Sequence, residues 1–136
     1  MQTELQDFKI NVKIKLAALW VSVVLCYIYG DYFGLYVPGT LQSMLAGQMG
    51  PLGATTQGVL LFTSAMMAIP SLMVALSLLL KPILSRWLNI IFGFIYTVIM
   101  ILSMIGAWNF YIFFGIIEII LTLLIIWNAW HWPKTP

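Results

Sequence analysis

Four long, predominantly apolar runs set the pattern of this chain: residues 16–37, 58–80, 88–107 and 110–130. Each is close to the 20 or so residues a helix needs to cross ~30 Å of hydrocarbon. They predict an all-α, polytopic membrane protein, with four transmembrane helices in one bundle and a single domain over residues 1–136. The lead-in FKINVKIK (8–15) alternates like a strand, but it feeds a long apolar run and reads better as the start of a helix. Lys13 and Lys15 are expected to snorkel to the lipid head groups.

The breaks carry their own signals. Pro38-Gly39 stops the first helix. From Thr40 to Gly47 the spacing predicts a short amphipathic helix, with Thr40 as N-cap, Leu41, Met44 and Leu45 on one face, and Gly47 as C-cap. It is too short to span and should lie at the interface. Gly50-Pro51 turns the chain, and Thr55 or Thr56 caps the second helix. In that helix Pro70 removes one ladder donor and crowds the carbonyl of Met66, four residues back, which predicts a kink. Lys81-Pro82 opens a basic link to Arg86-Trp87, and Trp108-Asn109 makes a tight turn.

Small and polar residues recur at helical spacing. Ala17, Ala18, Ser22, Cys26 and Gly30 supply small side chains in the first helix, and Ser64, Ala68, Ser71 and Ala75 form a ridge for packing in the second. Asn89, Gly93, Tyr96, Thr97, Met100 and Ser103 make a more polar stripe in the third. In the fourth, Tyr111, Gly115, Glu118, Thr122 and Ala129 share a face. The stripe of the third helix is expected to face the bundle. The two halves of the chain do not map onto each other, so an inverted-repeat transporter is not indicated.

Composition agrees with the pattern. Hydrophobic residues make up 62% and charged residues 7%, against about 25% charged in a soluble domain. A net charge of +2 on scattered lysines gives no footprint for nucleic acid. The single cysteine, Cys26, excludes an internal disulfide or a CxxC motif. Glu4 and Asp7 occupy the place of a basic n-region, and no A-x-A-like site follows, so a cleavable signal peptide is not expected. Charge also sets orientation. Lys9, Lys13, Lys15, Lys81, Arg86 and Lys134 all fall at the termini or between the second and third runs. The positive-inside rule therefore predicts cytoplasmic termini and places the segment 27–57 outside.

Two acids, Asp31 and Glu118, lie among apolar residues. Counting ~1.5 Å per residue places Asp31 ~24 Å above Lys15 and Glu118 ~12 Å below the start of the fourth helix, both in the outer half of the membrane. A carboxylate there needs a partner, water or a proton, and the side chains at hand are hydroxyls and amides: Tyr27, Tyr96, Tyr111, Thr122, Asn109 and Gln57. Glu118 has three readings: an uncharged acid bonded across helices, a ligand for a cation or polar group, or a proton-coupling acid. Asp31 can also be simply hydrated at a helix end. Tyr29, Tyr32 and Tyr36 fit an outer aromatic belt, and Trp87, Trp127, Trp130 and Trp132 an inner one. His131, alone among them, reads as an interfacial hydrogen-bonder. No catalytic constellation, metal cluster or cofactor motif is present in the sequence, so no enzyme activity and no cofactor are expected.

The segments KIKLAALW (13–20), LYVPG (35–39), MLAGQMGP (44–51), MAIPSLM (67–73), RWLNIIFG (86–93) and IIEIILTLLIIWNAWHWP (116–133) resemble a family of small prokaryotic four-helix membrane proteins of unknown function. The resemblance covers nearly the whole chain and implies the cytoplasmic (inner) membrane, but it carries no activity. The layout also resembles the DoxX-type arrangement. Small multidrug-resistance transporters are similar in size and helix count, but their essential glutamate lies in the first helix, whereas here the membrane glutamate is in the fourth.

The expected function is non-enzymatic: an outward-facing, acidic, tyrosine-rich cavity that binds a small lipophilic or cationic molecule or a lipid. The alternatives are a proton-coupled transporter of small molecules or cations, as a homo-oligomer, and a structural subunit of a membrane complex.

Overall fold

Asn11 starts the first helix. Its side-chain oxygen accepts the Lys13 amide at 2.9 Å, satisfying one of the donors a helix leaves free at its N-terminus. The computed structural model describes residues 3–136, and the helix it starts, α1, runs Val12–Gly34. A short helix α2 (Thr40–Leu45) and a 3-10 turn at Gly50–Leu52 follow. Three further long helices complete the chain: α3 (Gln57–Leu79), α4 (Pro82–Ser103) and α5 (Asn109–Trp130). Thr56 caps α3, its hydroxyl accepting the Val59 amide at 3.1 Å.

Three local expectations are corrected. The cap of α2 is Gly39, not Thr40: Gly39 takes φ 87°, where a side chain would be strained, and Thr40 becomes the first helical residue. The basic link after Lys81 shrinks to two residues, because Pro82 is the first residue of α4. Proline suits that position, where no amide donor is needed and its fixed φ is already helical. Arg86 and Trp87 therefore belong to α4. At its other end α4 stops at Ser103, and a turn through Gly106 (φ 72°) leads to α5.

Four helices are long and apolar enough to cross a membrane, and the protein is a multi-pass membrane protein. α1 packs against both α3 and α5, α4 packs closely on α5, and the seam between α3 and α4 is the thinnest. The alternating directions create two ends. The loop end carries α2 and the α4–α5 turn; the basic end carries the start of α1, the α3–α4 link and the end of α5. Leu16, Trp20, Val23, Met73, Met100 and Ile125 form the central core. The outward faces are apolar, with residues such as Leu61, Phe94 and Phe113 exposed, as expected where lipid is the solvent.

Lipid tails are as apolar as leucine, so helix association depends on close packing and on hydrogen bonds between helices. The polar stripe of α4 faces inward at Asn89, Gly93, Tyr96, Thr97 and Met100, all buried, while Ser103 at its end is exposed; on α5, Gly115, Glu118 and Thr122 are buried as well. The α3 ridge does not face inward. Ser64, Ala68, Ser71 and Ala75 are exposed, while Pro70, Met73 and Ser77 face the bundle.

Basic side chains close the basic end. Lys13 does not snorkel to lipid; its ammonium donates to the carbonyls of Leu80 (2.7 Å) and Leu78 (3.4 Å) at the end of α3. Arg86 donates to the carbonyls of Ala129 (3.1 Å) and Trp130 (3.3 Å) at the end of α5, its guanidinium 5.4 Å from the Trp87 ring and 5.6 Å from that of Trp130. Cations at helix C-termini satisfy free carbonyls and complement the helix dipole.

Candidate functional site

The site begins with a proline. Pro70 has no amide to give the carbonyl of Met66, and a bare carbonyl in a membrane interior is costly. The Tyr96 hydroxyl of α4 donates to it. That bond holds the Tyr96 ring edge-on to Trp20 (centroids 6.3 Å apart) and 6.4 Å from Tyr27. Tyr27 and Asp31 lie one turn apart on α1, so both address the same space.

That space is a cavity of about 250 Å³ in the half of the bundle nearer the loop end. Tyr27, Asp31, Thr63, Tyr96, Ser103 and Tyr111 supply its polar groups, and Met66, Met67 and Met100 much of its apolar wall. Every long helix contributes, because the thin α3–α4 seam leaves room that side chains do not fill. About eight waters at ~30 Å³ each would occupy it, and apolar cavities of ~150 Å³ already admit benzene. Asp31 is exposed at the rim, whereas Tyr27 and Tyr96 are buried. A second cavity of about 530 Å³ lies beneath the α2 segment, lined in part by Val37, Thr40, Pro51 and Trp108. It shares Ser103 and Tyr111 with the first, so the two adjoin.

Glu118 lies two turns beyond Tyr111 on the same face of α5, ~10 Å deeper. It is 3% exposed, and its Oε2 is buried with no hydrogen-bond partner among the described residues. Glu118 itself is not among the residues that line the cavity; Tyr111, on the same face of α5, is. Between Tyr111 and Glu118 the thioether of Met104 rests on Gly115, where even a methyl group would meet its sulfur at 2.6 Å. A buried carboxyl with an open hydrogen-bonding position is rare in native proteins and exceptional in a membrane segment.

Not every candidate joins this cavity. Thr122 is buried one turn deeper than Glu118 and is engaged with Thr97, whose hydroxyl is 2.7 Å away. Gln57 and Asn109 are exposed at the starts of α3 and α5 and do not line it. The segment above is stitched to itself: the Gln48 amide donates to Ser43 O (2.9 Å), Met49 to Gly53 O (2.7 Å) and Thr55 to Gly47 O (2.8 Å). It is a folded cap, not an open loop.

With the four-helix arrangement and its buried acid in view, the sequence comparison is decisive. The chain belongs to the family of unknown function DUF6326. The family model matches residues 4–136, nearly the whole chain. No curated protein and no solved structure matches it.

This DUF6326 member holds a second polar cluster that the sequence reading did not single out. In the half of the bundle nearer the basic end, Trp20 Nε1 donates to Asn89 Oδ1 at 2.7 Å, and Asn89 Nδ2 donates to the Ser85 carbonyl at 2.7 Å and the Ser77 hydroxyl at 3.2 Å. Ser85 in turn donates to the Ser77 carbonyl at 3.2 Å. All four side chains are fully buried. Asn89 was visible as part of the α4 stripe, but Ser77 and Trp20 come from other helices and gave no local signal. Unlike Glu118, this cluster is saturated, and it ties α1, α3 and α4 together nearer the basic end than the cavity.

Proposed function

We propose that the protein is a non-enzymatic binding protein of the prokaryotic cytoplasmic membrane, with its termini in the cytoplasm and the loop end outside. Its cavity takes a small lipophilic or cationic molecule from the outer side. The observation that carries this reading is Glu118: a buried carboxyl with an unpartnered oxygen on the same face of α5 as Tyr111, which lines the tyrosine-rich cavity with Asp31. A cationic or hydrogen-bond-donating group would meet the electrostatic and hydrogen-bonding demand of the two acids, and the methionine wall, adaptable in shape, would accept an apolar body.

Benzylammonium is a suitable probe, small enough for the space and both lipophilic and charged; benzyl alcohol is its neutral counterpart. Benzylammonium should raise the unfolding temperature of the purified protein more than benzyl alcohol does, and Glu118→Gln should abolish that difference. If neither compound shifts wild type, or Glu118→Gln responds as wild type does, the cavity is not a binding site of this kind.

Proton-coupled transport is the second reading, favoured by the same unpartnered acid. It requires the Trp20–Asn89–Ser77–Ser85 cluster to part so that the cavity can open toward the basic end. Reconstituted protein should then move a small cation in response to a pH gradient, and Glu118→Gln should stop it.

A further inference from the structure

A separate feature lies at the basic end, on the outside of the bundle. A groove of about 340 Å³ follows the seam between the start of α1 and the end of α5, with Ile14, Lys15, Ala18, Ser22 and Asn128 along it. A second cavity of the same volume, lined by Lys9, Asn11 and Trp132 among others, adjoins it through the shared Ile10. We propose that the two together form a binding site for one anionic phospholipid, headgroup between Lys9 and Lys15 and acyl chain along Ala18 and Ser22.

Position argues for a lipid. Ser22 lies two turns below Lys15, ~10 Å deeper along α1, so the groove runs from headgroup level into the hydrocarbon. Ala18 is the reason it exists, since a larger side chain there would fill the seam.

Charge argues for an anion. All six basic side chains gather at this end, against Glu4 and Asp7. Lys13 is committed to the end of α3 and Arg86 to the end of α5, but Lys9 and Lys15 are exposed at the groove. The N-terminus of α1, with no acid in its first turn, adds a favourable potential.

Spare hydrogen-bonding groups complete the fit. Asn128 uses one amide hydrogen on the Leu124 carbonyl at 2.8 Å, which leaves its other hydrogen and its oxygen for a headgroup or ester. Asn11 uses its oxygen on the Lys13 amide, which leaves its amide hydrogens. Basic pockets beside membrane helices commonly receive anionic headgroups in this way.

The test is native mass spectrometry of the detergent-purified full chain titrated with phosphatidylglycerol, phosphatidylcholine or glycerol 3-phosphate. Phosphatidylglycerol should bind at least about tenfold more tightly than phosphatidylcholine, and the Lys9→Gln/Lys15→Gln double variant should lose about 30-fold, since each lysine near an anionic headgroup contributes a factor of about five. Lys81→Gln/Lys134→Gln removes the same charge from the same end but outside the groove, and should bind nearly as wild type. Ala18→Leu should weaken lipid binding by filling the acyl groove.

Equal loss in the two double variants would reduce the effect to general electrostatic attraction and overturn the site. Equal binding of the two lipids would do the same, as would glycerol 3-phosphate competing as well as the lipid, which would mark a soluble phosphate as the ligand. A protein chain that stays bound in place of lipid would reassign the groove to a partner.

Discussion

The hydroxyl of Tyr96 donates to the carbonyl of Met66, the group that Pro70 deprives of its helical partner. One proline in α3 thus leaves a carbonyl that a polar residue on α4 satisfies, and the bond crosses the thin seam between the two helices. Tyr96→Phe keeps the ring against Trp20 and removes only the hydroxyl. It should cost about 1–2 kcal/mol, the range for a hydrogen bond whose loss strands an acceptor in a membrane protein. In a Pro70→Ala background, where residue 70 regains an amide for Met66, the same change should cost clearly less. A double-mutant cycle measured by thermal or detergent unfolding checks this; additive costs would mean that the bond does not answer to the proline.

That relationship also shows how far the sequence could be read. The proline and the carbonyl it frees are four residues apart in one helix, so both were evident from spacing. The donor is 30 residues away on another helix, and only the inward stripe containing Tyr96 could be named. The same limit explains Asn89. Ser85 joins its inward face only because α4 starts at Pro82 rather than after the basic link, and Trp20 and Ser77 meet it through packing between helices, which no local pattern encodes. Glu118 was legible for the opposite reason: a lone acid in an apolar run stands out however the helices pack. Position along the chain puts Gln57 and Asn109 at the level of the loop end, but depth does not say which way a side chain faces.

Glu118 should be dispensable for folding. No protein hydrogen bond is lost from its Oε2 on substitution, and replacing a buried, unpartnered acid by an uncharged group removes a desolvation cost. Glu118→Gln and Glu118→Leu should therefore unfold at or above the wild-type temperature at neutral pH, while the response to benzylammonium disappears. Destabilisation of both variants by 2 kcal/mol or more, on the order expected for a lost buried network, would show that the carboxyl is structural.

Asn89 should behave in the opposite way. Its amide serves Trp20, Ser77 and Ser85 at once, so Asn89→Ala leaves several fully buried polar groups without partners. The expected cost is about 2–4 kcal/mol, from more than one unsatisfied group and a small cavity. Trp20→Phe removes a single donor and should cost less. Urea-independent methods such as thermal unfolding in mild detergent would rank the two, and an Asn89→Ala protein as stable as wild type would contradict the buried cluster.

The two glycines at the α4–α5 contact separate close packing from mere proximity. A methyl group at Gly93 would stand 2.8 Å from Ile126 Cγ1, 3.4 Å from Ile125 Cγ2 and 3.5 Å from the Thr122 carbonyl. A branched side chain on one side and backbone on the other leave little room to yield, so Gly93→Ala should separate the helices and cost about 1–3 kcal/mol. At Gly115 the three atoms nearest the same methyl all belong to Met104, a flexible side chain at the end of α4 that can swing away. The gain in helix propensity, up to about 1 kcal/mol in favour of alanine over glycine, should offset much of that displacement. Gly115→Ala should thus unfold close to wild type and well above Gly93→Ala. Met104 lies between Tyr111 and Glu118, so its displacement should also alter the benzylammonium response, whereas Gly93→Ala, about one helical turn from cavity-lining Tyr96 and on the side away from Asp31 and Tyr111, should act mainly through stability. If the two variants are equally destabilised and equally responsive, the contact at Gly115 is as rigid as that at Gly93, and Met104 does not act as a movable cover over the acid.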